Sequence, residues 1–235
     1  MSSIRDERGF NQGFTETFAL KIRTERRTNA IVDELGMVSS QTRILEIGCG
    51  TGMLSYLICL KTGAQVTGVD LSQKFITTAK ETYSLSNLSY EVTPIEMNFN
   101  LSEQYDFIIG NGILHHLYSN LEDRLIDLRS YLKPGGKMIF WEPNLWNPYV
   151  FLIFTFSRLR KIAKLEPDEM AFSKSYISAI LKRIGFSEHK ISCRDFLLPN
   201  TPKLLVNLFI FLGNIMEKSK ITSSIAQSLF IVIKN

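Results

Sequence analysis

The sequence is poor in cysteine and has no hydrophobic run long enough to span a bilayer. Its three cysteines, Cys49, Cys59 and Cys193, are odd in number and widely spaced. They match neither a zinc-binding pattern nor an evident disulfide framework, which indicates a reducing compartment. No stretch reaches the roughly 18 apolar residues of a spanning helix, and the first residues lack the apolar core of a signal peptide. We therefore expect a cytoplasmic protein.

Charge of one sign is not in large excess either. The formal net charge is +4 over 235 residues, a mild balance that does not by itself indicate nucleic acid as a partner. Internal repeats and low-complexity linkers are also absent from the sequence. Hydrophobic residues make up 45% and charged residues 21%, which is typical of a globular chain. The length suits one sizeable domain.

The most informative segment is a glycine-rich run at residues 44–52. An apolar strand leads into three alternate glycines, and a helical pattern follows: residues 44–47, then Gly48, Gly50 and Gly52. Glycines let a ligand lie against the backbone, and a helix start offers unpaired N–H groups. The dinucleotide fingerprint needs a glycine three residues after Gly50, but Met53 stands there. Glu46 adds a carboxylate just before the loop.

Strands and helices alternate along the rest of the chain. The patterns predict strands at residues 44–47, 65–69, 88–92, 105–109, 137–141, 190–194 and 228–233. They predict helices at residues 14–36, 53–61, 72–82, 121–131 and 173–184, with Ser72 and Ser173 as N-caps. This alternation is typical of a parallel sheet with helices on both faces. Ligands bind such sheets at the carboxyl ends of the strands.

Polar residues follow several of these predicted strands. Asp70 comes after the second strand, where a carboxylate can accept two hydrogen bonds from the hydroxyls of a ribose. Asn111 follows the fourth strand, and Glu142 follows the fifth. The turn Leu-Lys-Pro-Gly-Gly at residues 132–136 precedes the fifth strand.

Together these segments resemble the class I S-adenosylmethionine (SAM) methyltransferases. The run Glu-x-Gly-x-Gly-x-Gly after an apolar strand is similar to their motif I, and Asp70 fits motif II. The resemblance is strong over residues 40–145 and loose over 170–235. It implies a Rossmann-like α/β fold with a mostly parallel seven-stranded sheet, an antiparallel last strand and helices on both faces. It also implies SAM as methyl donor and S-adenosylhomocysteine (SAH) as product.

The resemblance implies one methyltransferase domain over residues 1–235. Its parts would be an N-terminal helical cap (1–40), a SAM-binding core (41–145), two hydrophobic helical lid insertions (146–172 and 199–222) and the end of the sheet (173–198 and 223–235).

The resemblance also implies the cofactor contacts. The expected residues are Glu46, Gly48, Cys49, Gly50, Gly52, Asp70, Leu71, Ile95 and Asn111. Glu46 would act near the ammonium of SAM through water or backbone. Pro94 stands where relatives often place an acid against the adenine, so adenine recognition would fall to the Ile95 backbone and Glu96.

Methyl transfer requires alignment of the reacting atoms and in some cases removal of one proton. His115 and His116 are the best-placed candidates for a base, although such a pair is common in the family whatever the substrate. Glu142 is a second candidate, and its alternative role is a hydrogen bond to nearby backbone. Residues 111–117 hold no carboxylate cluster, so we predict no metal ion.

Two apolar segments should decide the acceptor. Residues 149–156 are apolar and a basic run follows, with no acid over residues 149–164. Residues 203–216 carry two apolar stripes at helical spacing. One interpretation is that the segments pack on each other as a lid. The other is that they present an apolar, basic face to a lipid-like substrate or to a membrane surface. Membrane association is thus an open alternative to a purely cytoplasmic location.

We therefore predict methyl transfer to a small molecule, which would be either lipid-like or a glycan precursor. A nucleic-acid acceptor is disfavoured because residues 111–114 lack the Asn/Asp-Pro-Pro-Tyr type of segment. The alternative function is a non-catalytic SAM-binding or membrane-surface scaffold protein. Arg23 and Arg26 are one helical turn apart and are expected on a solvated face, although they could meet an acidic substrate or the SAM carboxylate. Asp195 is expected as a solvated loop acid rather than a substrate contact.

Overall fold

The computed structural model describes residues 17–93, 104–166 and 168–235. In this part of the chain seven strands form one sheet with the order β3-β2-β1-β4-β5-β7-β6. The strands are β1 (Arg43–Ile47), β2 (Gln65–Asp70), β3 (Leu88–Val92), β4 (Tyr105–Asn111), β5 (Leu132–Pro143), β6 (His189–Arg194) and β7 (Ser228–Lys234). Strand β7 is antiparallel to both of its neighbours, and the other pairs are parallel. The predicted fold class is confirmed.

Nine α-helices connect or flank the strands in the described residues. They are α1 (Phe18–Leu35), α2 (Met53–Thr62), α3 (Gln73–Thr82), α4 (Leu121–Ser130), α5 (Pro148–Thr155), α6 (Ser157–Ala163), α7 (Lys174–Arg183), α8 (Val206–Met216) and α9 (Lys220–Ser223). Short 3₁₀ helices cover Leu114–Asn120 and Lys203–Leu205. The predicted caps are confirmed: Ser72 accepts from the Phe75 N–H, and Ser173 from the Tyr176 N–H.

The core lies on both faces of the sheet, as the continuous apolar strands require. On one face α1 and α2 contribute Ile31 and Ile58 against Ile109 and Phe230. On the other face α4 and α7 pack against strands that include β4 and β5. The strands β1, β2 and β3 succeed one another towards one side of the sheet, and β4 and β5 succeed one another towards the other side. The strand order therefore reverses between the parallel neighbours β1 and β4. A crevice at the carboxyl ends of these strands is where such sheets bind ligands.

Strand β5 begins earlier than the sequence predicted. It runs over Leu132–Pro143 rather than residues 137–141, because Leu132 pairs with Tyr105 before an irregularity shifts the register. The Pro134-Gly135-Gly136 turn therefore forms a bulge inside the paired strand. The turn that was expected to precede the strand thus lies within its N-terminal part.

Several peripheral helices lie at the end of the sheet where its parallel strands finish, which we call the carboxyl edge. Helix α5 follows β5, and β6 has the same direction as β5 because β7 is antiparallel to both. The 3₁₀ helix Lys203–Leu205 and α8 follow β6, so they begin at this same edge, and α9 leads into β7 there. No helix of the described residues is long and apolar enough to cross a bilayer.

The two predicted lid insertions lie in separate apolar clusters in the described part of the chain. Val206 and Ile210 of α8 pack with Ala19 of α1 and with Leu197. Val150 and other residues of α5 pack instead with residues of the segment that leads to α7. These clusters therefore do not join the two insertions, contrary to the interpretation that they pack on each other. A lid role, and the division of the domain into cap, core and insertions, stay predictions.

Candidate functional site

A cavity of about 360 Å³ opens at the switch point of the sheet. Its wall is built by the glycine loop, helix α1, the ends of β4 and β5, helix α5 and residues 199–200. Five of the predicted cofactor residues line it: Glu46, Gly48, Cys49, Gly50 and Asn111. Gly52, Asp70 and Leu71 flank these residues without lining the cavity, and Ile95 and Glu96 lie outside the described residues.

The glycine loop adopts a backbone that other residues rarely take. Gly50 has φ +53° and Gly52 has φ +85°, both in the left-handed region. A Cβ on Gly52 would also lie 2.6 Å from the hydroxyl oxygen of Tyr90, which donates a hydrogen bond to the Gly52 carbonyl at 2.8 Å. Strand β3 therefore fixes the loop through Tyr90, and the backbone of the loop at Gly48 and Gly50 lines the cavity.

Asp70 is held at the end of β2 by two backbone groups. Its Oδ2 accepts from the Gly50 N–H and its Oδ1 from the Ser72 N–H, both at 2.9 Å. Each carboxylate oxygen has a second lone pair, so these bonds orient the group and are compatible with a ribose diol. The Gly50 bond ties the predicted ribose acid to the glycine loop.

Glu46 is a buried carboxyl in the cavity wall. It is 2% exposed, and the Ser55 hydroxyl donates a hydrogen bond to its Oε2. Burial raises the pKa of Glu46 to about 8, and the charge of Asp70 acts in the same direction. A cation beside it would favour the ionised form. The group is thus suited to an ammonium ligand, which fits the predicted role.

This raised pKa predicts a pH-dependent affinity for SAM. Because its pKa is about 8, the Glu46 carboxyl is mainly neutral at lower pH. It must lose its proton to pair with an ammonium. SAM affinity should therefore rise from about pH 6 towards about pH 8, with proton release on binding. Isothermal titration in buffers of different ionisation enthalpy measures that release. Glu46→Gln should abolish it, and a wild-type protein that binds SAM without releasing a proton at pH 7 would contradict this assignment.

His115 and Glu142 form a buried pair beside the cavity. Glu142 is 1% exposed and accepts the backbone N–H groups of Ile113, Leu114 and His115 at 2.7–3.2 Å. His115 Nδ1 lies 2.9 Å from Glu142 Oε2. A carboxylate facing Nδ1 favours the tautomer with the proton on Nδ1, which leaves Nε2 as an acceptor. The backbone bonds expected as the alternative role of Glu142 are present.

His116 has its own carboxylate. Its Nδ1 lies 3.1 Å from Glu169 Oε1, and burial raises the pKa of Glu169. His116 and Glu169 do not line the cavity. One donor atom from each of His115, His116 and Glu169 lies within 4.8 Å of the others, a grouping that could hold a metal ion. Each imidazole nevertheless already faces a carboxylate, and the absence of a metal stays a prediction.

A buried ion cluster corrects the predictions for Arg23 and Asp195. Asp195 Oδ2 accepts from Arg23 Nε at 2.6 Å and from Arg27 Nε at 3.1 Å. Both residues were expected in solvent, but Arg23 is 9% and Asp195 6% exposed. The spacing explains the difference: residues 23 and 27 are one turn apart and share the inward face of α1, whereas Arg26 bonds to Asn214 at a partly exposed position.

Arg27 was missed by the sequence reading. Its Nη1 donates to Asn111 Oδ1 at 2.5 Å, and Arg23 and Arg27 both donate to the Ser228 hydroxyl. Burial and the charge of Arg23 lower the pKa of Arg27 to about 9. Burial alone would raise the pKa of Asp195, but the two arginines hold it below its ordinary value. Two guanidinium groups against one carboxylate leave this wall of the cavity positive.

One buried polar atom at the cavity fits a ligand that donates hydrogen bonds. Gln227 is 7% exposed and lines the cavity, and its Oε1 is without a hydrogen-bond partner among the described residues. Since buried polar atoms are normally paired, a bound ligand would satisfy it. The same cavity thus offers an acid, a positive wall and a polar acceptor to one molecule.

The fold and this site define an α/β protein with a polar, charged ligand cavity at the switch point of its sheet. A family model described as a methyltransferase domain matches residues 45–138. The chain is 37% identical over 103 residues to the malonyl-[acyl-carrier protein] O-methyltransferase of Priestia megaterium, covering 43% of this chain and 37% of the relative. It is 35% identical over 114 residues to the ubiquinone biosynthesis O-methyltransferase of Coxiella burnetii, covering 47% of each. The chain spans less than half the length of these relatives.

Solved structures show the same fold over nearly the whole chain. The plantazolicin methyltransferase BpumL, in complex with a triazolic desmethylPZN analog and SAH, matches with a TM-score of 0.64 at 18% identity, covering 94% of this chain and 86% of that one. A SAM-dependent methyltransferase from Archaeoglobus fulgidus matches with a TM-score of 0.62 at 18% identity, covering 93% and 98%. Residues 45–138 thus match a methyltransferase domain, and the chain has the fold of these solved methyltransferase structures.

Proposed function

We propose that this protein transfers the methyl group of SAM to an oxygen or an acidic carbon of a small amphipathic molecule, with His115 as the base. The buried His115–Glu142 pair at the cavity carries the proposal. SAM supplies an electrophilic methyl on a cationic sulfur. A neutral amine attacks such a carbon with its own lone pair, whereas a hydroxyl or an acidic C–H must lose a proton. A positioned base therefore favours oxygen or carbon as the accepting atom.

Glu142 acts on His115 rather than on the acceptor. Four donors surround its carboxylate, namely three backbone N–H groups and the His115 ring. These bonds engage the carboxylate and fix its orientation. It holds the imidazole with Nε2 as an acceptor and lies beside the ring that would receive the proton. We therefore assign Glu142 as a positioning residue.

The cavity and the adjoining end of β2, where Asp70 lies, suit the parts of SAM. Asp70 would bind the ribose hydroxyls, and Glu46 would neutralise the ammonium. The positive wall of Arg23 and Arg27 would attract the carboxylate of the methionine moiety. The glycine loop would lie under the cofactor.

The part of the cavity wall formed by α5 supports an apolar acceptor. Tyr149, Val150, Ile153 and Phe154, all from α5, line the cavity. The relatives named above are described as acting on malonyl-[acyl-carrier protein] and in ubiquinone biosynthesis, and the structural neighbour BpumL holds a triazolic desmethylPZN analog. A lipid-like molecule or the lipid-bearing end of a glycan precursor fits the apolar wall. We propose that the protein meets such an acceptor as a peripheral membrane protein.

Incubation with SAM labelled in its methyl group tests this proposal. The protein would be assayed against phenolic, carboxylic and β-dicarbonyl amphiphiles and against matched amines. We expect label in oxygen or carbon acceptors and none in the amines. Tight binding of SAM and SAH without transfer to any class of acceptor would favour the alternative, a non-catalytic SAM-binding or membrane-surface scaffold.

Replacement of Asp70 tests the cofactor orientation. Asp70→Ala removes the proposed partner of the ribose hydroxyls and the anchor of the Gly50 N–H. We expect the affinity for SAM to fall roughly 10- to 100-fold, as for loss of hydrogen bonds to a charged group. Isothermal titration measures the change, and the thermal transition without ligand checks the fold. A near-normal affinity would refute the ribose role.

A further inference from the structure

The carboxyl edge of the sheet exposes many large apolar side chains. Leu204 before α8 is 95% exposed, Phe211 on α8 is 63% exposed, and Ile162 on α6 is 76% exposed. Only Val206 and Gly213 of α8 are buried, and α6 buries no residue. Isolated exposed apolar residues are ordinary, but several helices with this character at one edge mark an interaction surface. We name α5, α6 and the segment 203–225 the edge face.

Charge identifies the partner of the edge face. Residues 144–164 contain no acid, and Arg158, Lys161 and Lys164 are exposed there. Segment 203–225 adds the exposed Lys203, Lys218 and Lys220. Its only acid, Glu217, turns inward and accepts the Asp195 N–H at 2.8 Å. An apolar surface with basic and no opposing exposed acidic groups is complementary to anionic lipid head groups.

Two exposed aromatic residues lie at the start of α5 or just before it. Trp146 is 63% and Tyr149 46% exposed, and Trp and Tyr are enriched at the interface between a bilayer and water.

Arg160 is the exception among the basic residues of this region, since its guanidinium donates to the carbonyls of Phe154, Glu166 and Glu169. It holds α6 against the loop before α7, so α6 is fixed although it buries no side chain.

We propose that the edge face docks on a bilayer surface that contains anionic lipids, and that α5 passes the acceptor from the bilayer to the cavity. The second part rests on the proposed function. Helix α5 has the required position, because Ile153 and Phe154 line the cavity while Phe151 and Leu152 are 45% and 44% exposed. A lipid-like acceptor that leaves the bilayer beside α5 would reach His115 without crossing water.

Vesicle co-sedimentation of the full chain tests the docking. Vesicles of phosphatidylcholine with phosphatidylglycerol should bind the protein, and vesicles of phosphatidylcholine alone should bind it more weakly. Arg158→Glu with Lys161→Glu should weaken binding at least about tenfold. Leu208→Glu with Phe211→Glu should weaken it at least about thirtyfold. These side chains are exposed, so the variants should fold.

Matched controls use exposed residues of α2, α3 and α4, which lie outside the edge face. Lys61→Glu with Lys80→Glu changes two exposed lysines near the C-terminal ends of α2 and α3. Leu60→Glu with Ile126→Glu changes two side chains that are 57% and 48% exposed. Both control pairs should bind the anionic vesicles as the wild type does.

Three results would overturn the docking proposal. One is a wild-type protein that ignores anionic vesicles, and another is equal loss of binding in the test and control variants. The third is a dimer in sedimentation equilibrium that Leu208→Glu with Phe211→Glu dissociates, because the edge face would then be covered by a second copy. SAM titration of the same samples separates the outcomes: normal SAM affinity without vesicle binding removes the docking and leaves the methyltransferase assignment standing.

Discussion

Gly50→Val is expected to abolish detectable binding of SAM while the protein stays folded. Gly50 has φ +53°, where a β-branched residue is a strong outlier. The substitution would strain the loop by about 1–3 kcal/mol and place two methyl groups at the cavity wall. It would also move the N–H that orients Asp70. We expect at least a hundredfold loss of affinity, roughly the sum of these effects, measured by isothermal titration.

Gly63 provides a matched control for the backbone strain. It has φ +70° at the C-terminal end of α2, and a Cβ there would meet no atom within 4 Å. Gly63→Val should therefore lower the thermal transition temperature as Gly50→Val does, yet keep the SAM affinity of the wild type. If Gly50→Val binds SAM as well as Gly63→Val, the glycine loop is not the cofactor site.

His115→Ala is expected to lower the methyl-transfer rate by roughly 10²- to 10⁴-fold, the contribution of a positioned base. The rate would be measured with an acceptor identified in the labelled-SAM assay, and SAM affinity should change little because the base faces the acceptor. His115 lines the cavity, whereas His116 pairs with Glu169 and does not. His116→Ala should therefore have the smaller effect.

A histidine away from the cavity provides a second control for this prediction. His189→Ala removes a histidine on β6 that bonds to Ser178, and it should keep the wild-type rate of methyl transfer. Unchanged turnover in His115→Ala would show that the acceptor needs no base from this chain.

The sheet and the glycine loop were predictable because their signals are local. The loop needs glycines at fixed spacing, Asp70 ends a strand, and Ser72 and Ser173 cap helices within a few residues of themselves. The seven strands and the antiparallel β7 followed from the resemblance. The start of β5 was wrong by five residues, because its bulge depends on pairing with Tyr105 in another strand.

The ion cluster and the pairing of His116 with Glu169 could not be predicted because the partners are distant in sequence. Asp195 meets Arg27 across 168 residues, and nothing near either residue indicates the other. The i, i+4 spacing of Arg23 and Arg27 was the one available signal, and it identifies a shared helix face without showing that the face is buried. Glu169 lies in a loop with no motif, and its approach to His116 follows from the path of the chain after α6.

A crystal structure of the full chain with SAH tests the central claim most directly. The account predicts SAH in the cavity at the switch point, with the ribose hydroxyls on Asp70, the amino group beside Glu46, and the sulfur directed to the space between His115 and α5. SAH bound elsewhere, or bound with its sulfur turned away from His115, would contradict the account.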